Sequence, residues 1–162
     1  MSKILVTGGC GYIGSHTIVD LITTGFDVVS VDNLSRGNIK YHIGVEKITG
    51  KEIHNYNVDL CDLEALRYVF DEHKDIDGII HFAAYKTVPE SVSHPLLYYH
   101  NNIESLVNVL KCTSEFGIKN FVFSSSCSVY GNTKELPVTE STPFEEAESP
   151  YARTKQMGER SF

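Results

Sequence analysis

The chain has 162 residues, of which 41% are hydrophobic and 22% are charged, and this globular composition is enough to bury one substantial core. Its formal net charge is −7 and its 14 lysines and arginines are scattered, which argues against a nucleic-acid partner. Neither the start MSKILVTGG nor any later run has the apolar length of a signal peptide or a membrane span, so we expect neither feature and no membrane partner.

Apolar runs recur along the chain, and most of them are solidly apolar rather than alternating. Strands buried on both faces of a parallel sheet have this pattern. A further run, residues 53–58, alternates more and is predicted at or near a sheet edge. The solid runs are residues 4–6, 28–29, 79–80 and 121–123.

Helical patterns lie between these runs, and each has a start or stop signal. Because strand and helix alternate throughout, and parallel neighbours need crossovers that cover both sheet faces, the sequence predicts an α/β doubly wound, Rossmann-like fold. The helical patterns are residues 13–22 closed by Gly25, residues 63–70 opened by Asp62, and residues 103–110 closed by Gly117.

The polar stretch 131–149 is predicted to be a long loop, followed by a last helix with Ser149 as its cap and Pro150 in its first turn. No stop signal follows that helix, and five strands precede it where the complete doubly wound fold has six. We therefore predict that residues 1–162 are one incomplete domain, truncated after the fifth strand and its helix, without its substrate domain. The unpaired edge of the fifth strand favours self-association, for instance as a homodimer.

A glycine-rich segment joins the first strand to the first helix. In it Gly8 permits a tight turn, Gly11 lets backbone approach a pyrophosphate, and Gly14 allows close helix packing. Asp32 ends the second strand, roughly 20 residues on, where a carboxylate binds the adenosine ribose and repels a 2′-phosphate. NAD is thus favoured over NADP, although Arg36 nearby could accept that phosphate. The alternative is that the glycines only make a tight turn.

Two further segments follow strands at the same end of the predicted sheet, where such folds bind ligands. Asp59 and Leu60 follow the third strand, where a side chain and an amide can reach an adenine ring. Phe82, Ala83 and Ala84 follow the fourth, where small residues let backbone pass a cofactor. Asp59 could instead only cap the next turn.

The last helix carries Tyr151 and Lys155 four residues apart, hence on one face. A phenol is a poor base at neutral pH, but a neighbouring ammonium and a nicotinamide cation both favour the phenolate. Y-x-x-x-K alone is more often a packed aromatic beside a solvated amine, and only the dinucleotide signature reverses that reading. The serine cluster 124–128 ends the fifth strand, and one of its hydroxyls could relay a proton to Tyr151.

At this point the segments TGGCGYIGSH, VDNLSRG, DLCD, HFAAYKTVPES, YYHNN, KNFVFSSSCSVYG and SPYARTK together resemble the UDP-glucose 4-epimerases, which are extended short-chain dehydrogenases. The resemblance spans the chain and implies that it is the N-terminal, NAD-binding part. It implies cofactor contacts for Tyr12, Ile13, Asp32, Asn33, Asp59, Leu60, Phe82, Ala83, Lys86, Asn101, Tyr151 and Lys155, besides Gly8, Gly11 and Gly14.

The same resemblance implies the chemistry. Tyr151, with Ser126, would meet the 4-hydroxyl of a UDP-hexose and remove its proton while hydride passes from sugar C4 to NAD. The 4-keto sugar would rotate and take the hydride back on its other face, which interconverts UDP-glucose and UDP-galactose in carbohydrate metabolism. The activity of the 162-residue chain alone is not expected.

Three alternatives stay open. The first is another nucleotide-sugar epimerase of the same family. The second is a 4,6-dehydratase, which shares the scaffold but would carry an Asp-Glu pair at the positions where this chain has Cys127 and Ser128. The third is a non-catalytic NAD-binding module, which would need the glycines but not Ser126, Tyr151 and Lys155.

The four cysteines form no C-x-x-C pair, so we expect neither a metal site nor a disulfide. Reduced thiols are typical of intracellular proteins, and we therefore expect a cytoplasmic location.

Overall fold

A parallel sheet of five strands forms the centre of the chain in the computed structural model, which describes residues 2–161. Spatially the strands lie in the order β3, β2, β1, β4, β5, so the direction of winding reverses beside β1. Ligands of doubly wound folds bind at this switch point, outside the carboxyl ends of the strands. The strands are β1 (Lys3–Thr7), β2 (Asp27–Val31), β3 (His54–Tyr56), β4 (Ile76–His81) and β5 (Asn120–Phe123).

Helices occupy the crossovers, and a π-helical turn, His100–Glu104, joins two of them. The caps at Asp62 and Ser149 are as predicted, because their side chains accept hydrogen bonds from the backbone N–H groups of Ala65 and Ala152. The helices are α1 (Tyr12–Thr23), α2 (Ile39–Thr49), α3 (Leu63–Glu72), α4 (Val88–Ser93), α5 (Pro95–Tyr99), α6 (Ser105–Glu115) and α7 (Pro150–Glu159), and a 3₁₀ turn spans Cys127–Tyr130.

Helices α2, α4 and α5 lack a sequence pattern from which they could be predicted. In α2 only His42 and Val45 are buried, so its apolar periodicity is weak. Helices α4 and α5 have six and five residues, which is too short for a periodic pattern to be read. No helix among residues 2–161 is long and apolar enough to cross a bilayer.

The core is divided between the two faces of the sheet. Alternate residues of β1 belong to different clusters: Leu5 packs with residues of α3 and α6, such as Leu66 and Val109. Val6 packs on the other face with residues of α1 and α2, such as Ile18. This burial on both faces confirms the doubly wound, Rossmann-like fold.

The two edge strands differ from one another in how well the sequence predicted them. The alternating run at residues 53–58 contains β3, which lies at an edge as predicted. The prediction that residues 121–123 are buried on both faces is wrong, because β5 lies at the opposite edge among the described strands and Val122 is 57% exposed. An apolar run does not by itself distinguish a central strand from a half-covered one.

Candidate functional site

A cleft of about 520 Å³ opens at the carboxyl ends of the strands. Residues that follow all five strands, together with the start of α7, line it. Ser126 is not among the lining residues. Every predicted cofactor residue lines this one cleft, namely Gly8, Gly11, Tyr12, Ile13, Gly14, Asp32, Asn33, Asp59, Leu60, Phe82, Ala83, Lys86, Asn101, Tyr151 and Lys155.

The glycine-rich turn brings bare backbone to the floor of the cleft. Gly8 has a φ of 71°, and a Cβ added there would lie 2.9 Å from the backbone nitrogen of Ala83. A Cβ added to Gly14 would collide with the Gly8 carbonyl oxygen. Helix α1 starts at Tyr12 with no side-chain cap, so its first N–H groups and its dipole are available to an anion.

Asp32 is buried beside this turn, with 9% of its surface exposed. Its two carboxylate oxygens accept hydrogen bonds from the N–H groups of Cys10 (3.0 Å) and Leu34 (2.8 Å). Each oxygen keeps a further lone pair for a hydroxyl donor, and a Cβ on Gly37 would lie only 2.7 Å from one of them. Burial, and secondarily the Asp32 charge, raises the pKa of the Cys10 thiol to about 12, which keeps that thiol neutral.

Arg36, on the loop after β2, bridges to helix α4. Its Nη2 donates to Oε1 of Glu90 at 2.6 Å, and its guanidinium carbon lies 4.8 Å from the centre of the Tyr85 ring. Tyr98 donates its hydroxyl to the other Glu90 oxygen at 2.7 Å. The hydrogen bond from Arg36 is the largest cause of the lowered pKa of Glu90. Glu90 lines the cleft and was missed by sequence reasoning, since its partner lies 54 positions away.

Asp59 serves both as a cap and as a wall of the cleft. Its Oδ1 accepts the N–H of Cys61 at 2.9 Å, as the capping alternative requires. Its Oδ2 accepts the side-chain amide of Asn33 at 3.2 Å. The segments after β2 and β3 are thereby joined at the end of the cleft that contains Asp32.

At the opposite end, α7 presents Tyr151 and Lys155 to the cleft. Lys155 is 5% exposed, donates from Nζ to the carbonyl oxygen of Ser124 at 2.6 Å, and lies 4.7 Å above the Phe123 ring centre. Burial is the largest effect on its ammonium and lowers the pKa of Lys155 to about 8, opposed by the charge of Glu159. The lysine is thus fixed in the wall of the cleft, one helical turn from Tyr151 on the same face of α7.

The serine cluster is divided by the end of β5. Ser124 and Ser125 line the cleft, and the Ser125 hydroxyl oxygen is the one buried side-chain polar atom among residues 2–161 without a hydrogen-bond partner. Ser126 caps the 3₁₀ turn instead, where its Oγ accepts the N–H of Ser128 at 3.3 Å and the Ser128 hydroxyl at 2.9 Å. The sequence alone does not show which of three adjacent serines lines the cleft and which caps the turn.

Asn102, a buried residue of the segment YYHNN, connects the cleft wall to α7. Asn102 accepts the N–H of Tyr85 at 2.8 Å and donates to the Tyr85 carbonyl oxygen at 3.0 Å and to the Thr154 hydroxyl at 3.1 Å. It lies in the π-helical turn, a distortion that is common at functional sites. The same turn directs Asn101 into the cleft.

One group among the described residues places three metal-type ligand atoms within 4.8 Å of one another, although the cysteine spacing had suggested no metal site. It consists of Cys61, His100 and Glu104. His100 and Glu104 are largely exposed and already pair with each other at 2.7 Å. Burial and nearby acids raise the pKa of the Cys61 thiol to about 12, so the thiolate that a metal needs is disfavoured.

The fold and the cleft define a Rossmann-like α/β protein with its ligand site at the switch point of the sheet. A model described as the NAD dependent epimerase/dehydratase family matches residues 4–162. The chain therefore belongs to this family, and the resemblance indicated by its motifs is confirmed.

Individual relatives are similar over nearly the whole chain. UDP-glucose 4-epimerase of Bacillus subtilis is 46% identical over 157 residues, which cover 97% of this chain and 46% of that protein. The solved UDP-glucose 4-epimerase of Bifidobacterium longum, in complex with NAD⁺ and UDP, has a TM-score of 0.96 and 42% identity over 99% of this chain and 48% of that one. UDP-N-acetylglucosamine 4-epimerase of Methanobrevibacter ruminantium has a TM-score of 0.85 and 36% identity, over 99% and 49%. This chain spans about half the length of the curated relatives it matches.

Proposed function

We propose that residues 1–162 form the NAD-binding domain of a UDP-glucose 4-epimerase, which interconverts UDP-glucose and UDP-galactose. The observation that carries this proposal is the convergence of two motifs in one cleft: the glycine turn at one side and the pair Tyr151 and Lys155 at the other. Family membership and the epimerase relatives support it independently.

NAD fits the residues present. At Gly8 and Gly14 the turn packs too closely on neighbouring backbone for a Cβ, and Gly11 lines the cleft between them, where its bare backbone would let a pyrophosphate approach. Asp32 keeps free lone pairs for ribose hydroxyls beside that turn. Asp59 and Leu60 would lie against the adenine, and Lys86 and Asn101 along the remaining cofactor, as lining residues of the same cleft.

NAD, when bound, would supply a reversible hydride acceptor for sugar C4. The chain's own groups would handle the proton: Tyr151 would take it from the 4-hydroxyl and return it, as a general base and then a general acid. The Lys155 ammonium, fixed by the Ser124 carbonyl, would stabilise the phenolate through its positive charge. Ser126, the proposed partner of the 4-hydroxyl, would need to turn from its bond with Ser128 toward the substrate.

The neighbouring functions are less well supported. A 4,6-dehydratase would need an acid pair after β5, where this chain has the exposed Cys127 and the half-buried Ser128. A non-catalytic NAD-binding module has no use for a buried lysine one helical turn from Tyr151 in the same cleft. Four free cysteines support a reducing, cytoplasmic location, and we propose a homodimer as the assembled state.

The first experiment measures cofactor binding by the 162-residue chain, by isothermal titration calorimetry with NAD and by mass spectrometry of the denatured supernatant. Absence of NAD binding would overturn the proposed function. The second uses a longer chain that includes the residues its relatives have beyond this match, and follows UDP-glucose by NMR. Conversion to UDP-galactose is expected; NAD binding without turnover would favour the non-catalytic module, and loss of water from the sugar would favour the dehydratase.

Within that longer chain, Tyr151→Phe is expected to lower turnover by about 10²-fold or more while NAD binding stays near wild type, because the ring remains and only the acid-base group is lost. Steady-state kinetics and calorimetry measure the two quantities. Tyr130→Phe is the matched control, since it removes a phenolic hydroxyl that does not line the cleft. Undiminished epimerisation by Tyr151→Phe would refute its role.

A further inference from the structure

The ion pair between Arg36 and Glu90 connects two segments on opposite sides of β1. Arg36 belongs to the loop after β2, Glu90 to helix α4 after β4, and β2 and β4 flank β1 in the sheet. Both residues line the cleft. The pair therefore lies at the cleft itself and joins its two walls beside the glycine turn.

Both partners are held by further contacts. The Arg36 guanidinium lies over the Tyr85 ring at 4.8 Å, an arrangement that attracts a cation. The second Glu90 oxygen accepts the hydroxyl of Tyr98, and that hydroxyl in turn accepts the N–H of Thr87 at 3.0 Å. Since Tyr98 is fully buried, Glu90 is anchored from the core side and fixes where the arginine points.

This geometry bears on which dinucleotide the cleft accepts. Arg36 follows Asp32 by four positions on the same loop, so it is the cation nearest in sequence to the carboxylate that would face the adenosine ribose. A 2′-phosphate placed there would meet the negative charges of Asp32 and Glu90, and it would gain Arg36 only by displacing Glu90. A 2′-hydroxyl meets neither cost.

We propose that Glu90 is a specificity-determining residue: it holds Arg36 out of reach of a 2′-phosphate and so makes the cleft select NAD against NADP. This inference rests on the proposed function, which supplies the dinucleotide. Selection is then set by two elements together, with Asp32 disfavouring the phosphate directly and Glu90 withdrawing the arginine that would otherwise bind it.

The experiment measures the affinities of the 162-residue chain for NAD and for NADP by isothermal titration calorimetry, in wild type and in Glu90→Gln. Glutamine keeps an oxygen for the Tyr98 hydroxyl but loses the charge. The ratio of NADP to NAD affinity is expected to rise about tenfold or more, because Arg36 is freed for a charge-assisted bond to the phosphate. An unchanged ratio in a folded variant that binds NAD would overturn the inference.

Arg36→Ala tests the mechanism by a double-mutant cycle. Combined with Glu90→Gln it should abolish the gain in NADP affinity, and on its own it should weaken NADP relative to NAD, since Glu90 is then unpaired. A gain in NADP affinity that survives in the double variant would overturn the inference. Stronger NADP binding by Arg36→Ala alone would also overturn it, and this result can be measured even if Glu90→Gln does not fold.

Glu115→Gln is the matched control. It breaks an Arg–Glu pair of similar length, 2.7 Å to Arg67, outside the cleft, and should leave the NADP to NAD ratio unchanged. A control that shifts this ratio as much as Glu90→Gln does would assign the effect to net charge and overturn the inference. If the wild-type chain binds no NAD, the proposed function fails instead, which is a separate result.

Discussion

Gly14 lies where the backbone of α1 passes the Gly8 carbonyl oxygen. Because a Cβ at Gly14 collides with that oxygen, Gly14→Ala must move the turn, and we expect a loss of about 1–3 kcal/mol in the free energy of unfolding. The displaced amides should also weaken NAD binding by about tenfold or more, roughly 1.4 kcal/mol. Urea denaturation and calorimetric titration measure these two effects.

The matched control for that variant is Gly44→Ala in helix α2. A Cβ on Gly44 has nothing within 4 Å, so alanine should only improve the helix, by about 0.5–1 kcal/mol, with NAD affinity unchanged. Wild-type NAD binding by Gly14→Ala would show that the close approach of the two glycines is not required.

The buried Lys155 should make the free energy of unfolding depend on pH. Its pKa is lowered from 10.5 to about 8, chiefly by burial, so between those two values the unfolded chain binds more protons than the folded one. The free energy of unfolding contributed by this site therefore rises with pH through that window and is least favourable below about pH 8. The full difference corresponds to roughly 3 kcal/mol.

Lys155→Met removes this titration. Relative to wild type, the variant without cofactor should be most stabilised at pH 7, and the advantage should shrink as pH approaches 10.5; urea denaturation at several pH values measures it. Lys119→Met, at an exposed position, should keep the wild-type pH dependence. Parallel curves for wild type and Lys155→Met would contradict the prediction.

Among the structural elements, the π-helical turn places Asn102 between the Tyr85 segment and α7. Asn102→Ala leaves the N–H and carbonyl groups of Tyr85 and the Thr154 hydroxyl without this partner. Since such groups are costly to bury unpaired, we expect a loss of about 1–3 kcal/mol in the free energy of unfolding. NAD affinity should fall as well, because α7 carries Tyr151 and Lys155.

Asn120→Ala controls for the loss of an amide. Asn120 is exposed and donates one hydrogen bond, to the Asp77 carbonyl oxygen, so its replacement should cost no more than about 0.5 kcal/mol. Equal losses from the two variants, measured by urea denaturation, would mean that the amide in the π-helical turn has no special structural role.

For the whole molecule, β5 is one of the two edges of the five-stranded sheet. Among the described strands β5 pairs only with β4, and Val122 is 57% exposed. An exposed apolar strand at the edge of a sheet can pair with a second copy of the chain, so we expect the 162-residue chain to associate as its concentration rises. Multi-angle light scattering over a concentration series measures this.

Val122→Lys places a charge on that edge and should shift the chain toward monomer. Leu136→Lys is the control, because Leu136 is also exposed, at 79%, but lies outside the strands. A wild-type chain that stays monomeric at high concentration, or equal effects of the two variants, would show that the β5 edge does not drive association.

Features that are local in the chain could be predicted from the order of the residues. The glycine turn, Asp32 after β2, the Asp62 and Ser149 caps and the spacing of Tyr151 and Lys155 each depend on a few consecutive residues, and apolar runs identified all five strands. Together they were enough to predict the fold class and the edge of the sheet at which the cleft lies, because parallel strands bring their carboxyl ends to one edge.

The folded structure was needed for every feature that depends on residues far apart in the chain. It separates Ser125 from Ser126, places β5 at an edge, pairs Arg36 with Glu90 and ties Asn102 to Thr154, 52 positions away. Helix α2 was not predicted because it buries only two residues, His42 and Val45, which is too few to give an apolar periodicity. Such contacts depend on how distant elements pack and on the direction of each side chain, and neither periodicity nor motif spacing encodes these.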